Sequence, residues 1–233
     1  MNEIRARLEQ LAEPKYKQFS EALTPNAPKM LGVRLPILRS MAKEYAADAQ
    51  KLLQQPCGET FEEIMLRGML IGCMKCTTEQ RMQHIQAFVP LIDNWGVCDS
   101  FCSSIKEAKK KPELYWDFIQ QYLHSDHEFE VRFAVVMMLD YFSSGTWTKE
   151  TLQKLQTVTH RGYYAKMAVG WAISVCYIHE PDTTWYWLNQ TQIEQEVMKI
   201  ALQKIMDSKR VQGEQRERIR ALREQLKKTK TLS

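Results

Sequence analysis

Thr60-Phe-Glu-Glu-Ile-Met-Leu-Arg-Gly-Met-Leu-Ile-Gly-Cys-Met74 decides the fold class of this chain. Thr60 and Glu63 stand at the spacing of a capping box, in which each side chain satisfies the other's backbone N–H at a helix start. An apolar run from Ile64 to Met74 follows directly, and the stretch reads as a capped helix. The same logic extends outward in both directions. Glu3 to Ala12 carries Ile4, Leu8 and Leu11 at helical spacing, and Pro14 opens a second helix through Phe19 and Leu23. Thr24-Pro-Asn-Ala-Pro28 is a break, and Leu35-Pro36 starts another helix with Pro36 in the first turn, where its missing N–H costs nothing. Thr78 is expected to cap the next helix, with Glu79 in its first turn.

Further helices are expected at about 95–105, 112–123, 127–142, 148–158, 163–178, 182–189, 193–208 and 213–228. The 9 glycines and 8 prolines fall mostly between them, and strand-like alternation is almost absent. Helices of this length on short links make antiparallel neighbours. Apolar helices recur at intervals of roughly 27–38 residues, centred near 70, 97, 135, 170 and 200, close to the interval of HEAT-like repeats. The expected fold is therefore all-α, a right-handed-type solenoid of HEAT-like antiparallel helix pairs. It is expected to form one domain over residues 1–233 that ends in a basic helix at about 209–230. Successive inner helices of such a solenoid line a concave face, so residues distant in sequence can meet one ligand there.

Bulk composition narrows the function classes. Apolar residues make up 44% and charged residues 26%, ordinary for a globular protein. No apolar run reaches membrane-spanning length, and the charged start Met-Asn-Glu-Ile-Arg-Ala-Arg is not a secretory signal, so a cytoplasmic protein is expected. The six cysteines lie mostly in apolar helical patterns and read as small reduced hydrophobes. Cys73-x-x-Cys76 lacks a second Cys pair or a His pair at ligand spacing, and no His is near Cys98 or Cys102 in sequence, so neither a metal site nor a thiol nucleophile is expected. Net charge is +4, but residues 209–230 hold nine Lys or Arg against three Glu, which leaves the remainder slightly acidic. A basic tail on a near-neutral body suits a polyanionic partner, and equally a solubilising terminal helix. Lys209, Arg210, Arg216, Arg220 and Arg223 are the candidate polyanion contacts there, with Arg216, Arg220, Arg223 and Lys227 expected on one face opposite Ile219, Leu222 and Leu226.

Four further positions carry chemistry. Trp95 and Asp99 are one helical turn apart, and an indole beside a carboxylate suits a cationic planar ligand. Taken alone, the pair also reads as a core aromatic beside a solvated acid. Arg132 lies among Val131, Phe133, Ala134 and Val135, where it must pair with an acid or face a groove. Trp171, flanked by Gly170 and Ala172, sits where helices can approach closely, and core packing is its ordinary role.

In order, Asp93-Asn-Trp-x-x-x-Asp99, Val131-Arg132-x-Ala-Val and Lys166-Met-Ala-Val-Gly-Trp171-Ala resemble the DNA alkylation repair proteins of the AlkD type. Leu31-Gly-Val-Arg-Leu-Pro-Ile-Leu-Arg39 and Phe61-Glu-Glu-Ile-Met-Leu-Arg-Gly68 look like that family's N-terminal half, and the likeness covers about 15–225. The resemblance implies a concave basic face for duplex DNA and glycosylase activity on cationic N3- or N7-alkylated purines. It implies Asp99 as the catalytic carboxylate, Trp95 and Trp171 as aromatic walls, and Arg132 at the DNA backbone, with Lys166 counted among the DNA contacts. Two departures stand out: Val131, where the family often has a second arginine, and Asp140, where a basic contact would be expected. The expected protein is a DNA repair N-glycosylase, a hydrolase of base excision repair. It is expected to be monomeric and nucleoid-associated when on DNA, without metal or other cofactor and without a membrane partner. The competing expectation is a non-catalytic HEAT-like scaffold that binds DNA or another protein.

Overall fold

The computed structural model describes residues 2–25 and 27–231, with side chains from residue 3 to residue 226. Fourteen α-helices and no strand occur among the described residues. In chain order they are α1 (Asn2–Gln10), α2 (Pro14–Leu23), α3 (Leu35–Glu44), α4 (Ala49–Leu53), α5 (Phe61–Cys73), α6 (Thr78–Phe88) and α7 (Trp95–Cys102). Then come α8 (Pro112–Ile119), α9 (Glu128–Tyr141), α10 (Thr148–Gln156), α11 (Tyr163–His179), α12 (Pro181–Leu188), α13 (Gln195–Asp207) and α14 (Gly213–Thr231). The all-α expectation holds, and most boundaries fall within three residues of their expected positions. The five-residue α4 is too short to show periodicity and has no counterpart in the sequence reading. No described helix is long and apolar enough to cross a membrane.

The chain divides into two compact units, one ending at Leu114 and one beginning at Tyr115. In the first, α5 packs on both α3 and α7. Its apolar face (Met65, Leu66, Met69 and Leu70) is buried, as are Leu38 and Met41 of α3 and Val97, Cys98 and Phe101 of α7. Gly68 and Gly96 permit the close approach. A Cβ on Gly68 would stand 2.9 Å from the Phe88 ring, and one on Gly96 2.9 Å from the Phe61 ring. Phe88 and Phe101 meet edge to face at 4.7 Å.

Buried polar groups fix the frame of this unit. The Glu63 carboxylate accepts from the Thr60 N–H at 3.1 Å and the Thr60 hydroxyl at 2.7 Å, so the capping pair forms as expected. Glu62, 2% exposed, accepts the backbone N–H groups of Leu31, Gly32 and Val33 at 2.9, 2.7 and 3.1 Å. Those three donors offset the cost of burying its charge. Gly32 takes φ +99°, which a side chain would strain. Two stretches thirty residues apart in sequence are thus one hydrogen-bonded unit. Arg81, 7% exposed, closes the end of α5 by donating to the carbonyls of Ile71, Gly72 and Met74. The cap of α6 is Thr77 with Gln80, not Thr78. Two adjacent threonines gave two registers, and only Thr77 has a Gln or Glu three residues later to complete the box.

In the second unit α11 packs on both α9 and α13, while α10 and α12 pack on each other and on α11. Every second helix therefore stacks on the next, the contact pattern that paired helices produce. Gly170 presses against α13, where a Cβ would lie 2.8 Å from Cβ of Ile200 and 3.1 Å from the Ala201 nitrogen. The close helix approach expected around Trp171 is made here. Trp116, Phe142 and Trp147 form an aromatic triangle with centroids 5.1 Å apart.

Candidate active site

α7 begins where Asn94, 3% exposed, accepts the Val97 N–H at 2.9 Å and donates to Asp93 at 2.7 Å. This cap fixes Trp95 as the first helical residue and places Asp99 one turn along on the same face. Both side chains are half-buried, while Val97, Cys98 and Phe101 between and beyond them are sealed in the core. The Trp95 indole N–H donates to the Leu23 carbonyl at 3.3 Å, so the ring is tethered to the end of α2. Neither residue is core, and neither is a freely solvated surface group. The arrangement offers a π-face and a carboxylate at a partly dehydrated surface, where both attract positive charge more strongly than in bulk water.

The second unit carries the other candidates. Arg132 is 5% exposed, and its Nη1 donates to the Tyr164 carbonyl at 2.9 Å, tying α9 to the first turn of α11. Glu128 accepts at that turn from the Tyr164 N–H and, at 3.3 Å, from the Ala165 N–H. A carboxylate thus already meets the positive end of α11. Gly162 leaves no room for a Cβ against Glu128. This cap was not legible in advance, because its donor and acceptor are more than thirty residues apart. Val131 is fully buried, and a longer cation there would have to displace core atoms.

Trp171 is half-buried, and Lys204 of α13 holds its ammonium 5.8 Å from the ring centroid. The indole therefore already has a cation partner from within the chain. Lys166 is committed elsewhere: its ammonium donates to Glu194 at 2.7 Å and Glu196 at 2.6 Å. Those hydrogen bonds, Glu194 first, raise the Lys166 pKa, and the same contact lowers that of Glu196. The local charge around Lys166 is consequently negative.

The described arginines of the basic terminal helix are largely occupied with its own packing. Arg216 donates to the Met206 carbonyl at 2.8 Å and so closes the end of α13. Arg223 donates to Gln203 at 2.6 Å and lines a cavity of ≈ 470 Å³ with Met167, Ile200, Lys204 and Leu226. Arg220 pairs with Glu217 at 2.7 Å. The face expected opposite Ile219, Leu222 and Leu226 is corrected by these contacts. At 100° per residue, Arg216 and Arg223 flank the buried Ile219 rather than oppose it, and both turn toward α13. The Lys227 side chain lies outside the described residues. Lys209 and Arg210 are exposed.

A search of curated proteins returns no significant match. The family model described as DNA alkylation repair enzyme matches residues 4–205. That span takes in α1 to α13 and with them Trp95, Asp99, Arg132, Lys166 and Trp171; the chain belongs to the DNA alkylation repair enzyme family.

Proposed function

We propose that the protein is a DNA N-glycosylase that hydrolyses the N-glycosidic bond of cationic N3- or N7-alkylated purines in duplex DNA. The observation that supports this reading is the Trp95–Asp99 pair, an oriented indole and a carboxylate on one half-exposed helix face. An alkylated purine already carries positive charge. When the C1′–N bond breaks, its electron pair goes to the purine and neutralises that charge, so no general acid has to deliver a proton. The sugar is left as an oxocarbenium-like cation. Asp99 stabilises that cation and orients the water that adds to C1′, and the water's proton is passed on to solvent. The products are free alkylpurine and an abasic site. Trp95 supplies a π-face to the cationic sugar or base. Trp171 is assigned the same kind of contact and Arg132 a backbone phosphate. At 5% exposure, Arg132 can reach only a phosphate brought close to it.

A second reading, a non-catalytic scaffold for DNA or protein, is favoured by one observation. Arg132 and Lys166, both assigned to DNA by sequence, are engaged inside the chain. Incubation with methylated duplex DNA, followed by chromatography of released bases, separates the two. Release of 3-methyladenine or 7-methylguanine above background is expected. Duplex binding without any release would leave the scaffold. Asp99→Asn is expected to lower single-turnover excision by about 10²-fold or more while duplex affinity changes by less than about three-fold. Equal losses in both would remove Asp99 from the chemistry.

A further inference from the structure

Four of the six residues from Lys106 to Lys111 are lysines, on and just after a 3₁₀ turn (Lys106–Lys109) that three residues separate from α7. The turn is anchored from below by Ile105 and Ala108, both fully buried. Gly72 has no room for a Cβ against Ser104, so the preceding loop is pressed onto the end of α5. The lysines are therefore displayed from a fixed base rather than a loose loop.

Their outward charge is of one sign. Glu107, the acid within the segment, turns inward and is taken by Arg81 at 3.1 Å and Thr78 at 3.1 Å. Lys111 lies 3.8 Å from that carboxylate and belongs to the same inward cluster, donating to Thr78 as well. Lys106, Lys109 and Lys110 are exposed and make no ion pair among the described residues. Burial raises the Cys73 pKa, and the nearby cations Lys43 of α3, Arg81 and Lys106 draw it down. Lys43 and Lys75 are exposed as well.

The contrast with α14 is informative. Its Arg216, Arg220 and Arg223 spend their donors on a carbonyl, a glutamate and a glutamine, and Arg218 pairs with Asp182 at 3.0 Å. The longest basic stretch in the sequence identifies a terminal helix, but among the described side chains the structure leaves more unengaged charge in the turn after α7 than on α14.

We propose that Lys106, Lys109 and Lys110 form a phosphate-contact surface for the backbone of duplex DNA. This rests on the DNA repair reading of the same unit. Lys106 is seven positions on from Asp99, so even a fully extended chain would keep them within about 25 Å. Phosphates recur along each strand about every 3.4 Å of duplex axis. With Asp99 at a lesion, the turn therefore reaches phosphates within roughly seven base pairs of it. These contacts would set register and affinity and carry no base specificity.

The test is titration of a fluorescent, unmodified duplex by anisotropy across a salt series. Lys106→Gln/Lys109→Gln/Lys110→Gln is compared with wild type and with Lys209→Gln/Arg210→Gln. Each lost phosphate contact lowers the magnitude of the log K against log salt slope by about 0.9. The triple variant is expected to lose about 2 to 3 of that slope and at least about ten-fold in affinity at low salt. Its circular dichroism and thermal melt are expected to match wild type, and the Lys→Arg triple is expected to keep the wild-type slope. An unchanged slope in the glutamine triple, or an equal loss in the arginine triple, overturns the proposal. If Lys209→Gln/Arg210→Gln alone flattens the slope, the contact belongs to the terminal segment instead. Failure of the wild type itself to bind duplex DNA would overturn the underlying DNA reading, an outcome distinct from either.

Discussion

Trp95 is tethered by one exposed hydrogen bond of 3.3 Å, worth no more than about 1 kcal/mol. Its larger contribution under the proposed chemistry is the ring face, worth about 0.5–2 kcal/mol toward a cation. Trp95→Ala is therefore expected to lower single-turnover excision by up to about 30-fold, and Trp95→Phe, which keeps a ring, by only a few-fold. Equal losses would assign the effect to the tether or to packing. Gly170 supports a stability prediction of the same kind. Alanine in a helix interior ordinarily gains about 1 kcal/mol over glycine. Here the new Cβ would meet Cβ of Ile200 at 2.8 Å and the Ala201 backbone nitrogen at 3.1 Å. Overpacking costs about 1–3 kcal/mol, so Gly170→Ala is expected to destabilise by up to about 2 kcal/mol in urea unfolding. A stabilised variant would show that α11 and α13 can move apart. The need for close approach at Gly170 was legible from the small residues around Trp171, and the need for a partner at Arg132 from its apolar neighbours. That the Tyr164 carbonyl is one of its partners was not, because backbone acceptors leave no mark in sequence.

At the scale of helices, local signals were read well and tertiary ones poorly. The α5 cap was visible because both partners lie within four residues. The α6 start was placed one residue late because Thr77 and Thr78 compete for one role. The backbone clamp by Glu62 joins stretches that only the fold brings together, so no periodicity could reveal it. The α5 cap also carries a pH dependence. Burial pushes Glu63 up, but hydrogen bonds from the Thr60 hydroxyl and N–H and from Arg5 outweigh it and hold the carboxyl below its usual range. A depressed carboxyl stabilises the fold fully above its unfolded pKa of about 4.3 and loses that contribution as pH falls through the folded value. Glu63→Gln is expected to cost about 1–2 kcal/mol at neutral pH. The gap in melting temperature between wild type and variant should narrow as pH falls below about 4. A gap independent of pH would mean that shape, not charge, makes the cap.

For the molecule as a whole, the charge that the sequence displays and the charge that the fold leaves unengaged are distributed differently. Residues 209–230 hold the excess of basic residues, yet the folded chain uses several of them to bind itself. Arg218 donates to the Tyr177 hydroxyl at 2.7 Å and stands over the Tyr177 and Trp185 rings at 5.3 and 5.1 Å. Ile219 and Val211 are buried, and α14 packs on α13. Removing residues 209–233 would strip two buried apolar side chains, at about 1.5–3 kcal/mol each. It would also remove hydrogen bonds from charged groups, at about 1.5–3 kcal/mol each. A loss of roughly 5 kcal/mol or more is expected, which for a chain of this size lowers Tm on the order of 10 °C. Any fall in DNA affinity after that truncation would mix lost charge with lost structure. Scanning calorimetry alongside the salt series resolves the two: the truncated protein is expected to melt earlier and, where still folded, to keep most of its salt slope. A truncated protein with an unchanged Tm and a flattened slope would restore the terminal helix as the DNA-binding element and show that its arginines release their internal partners on binding.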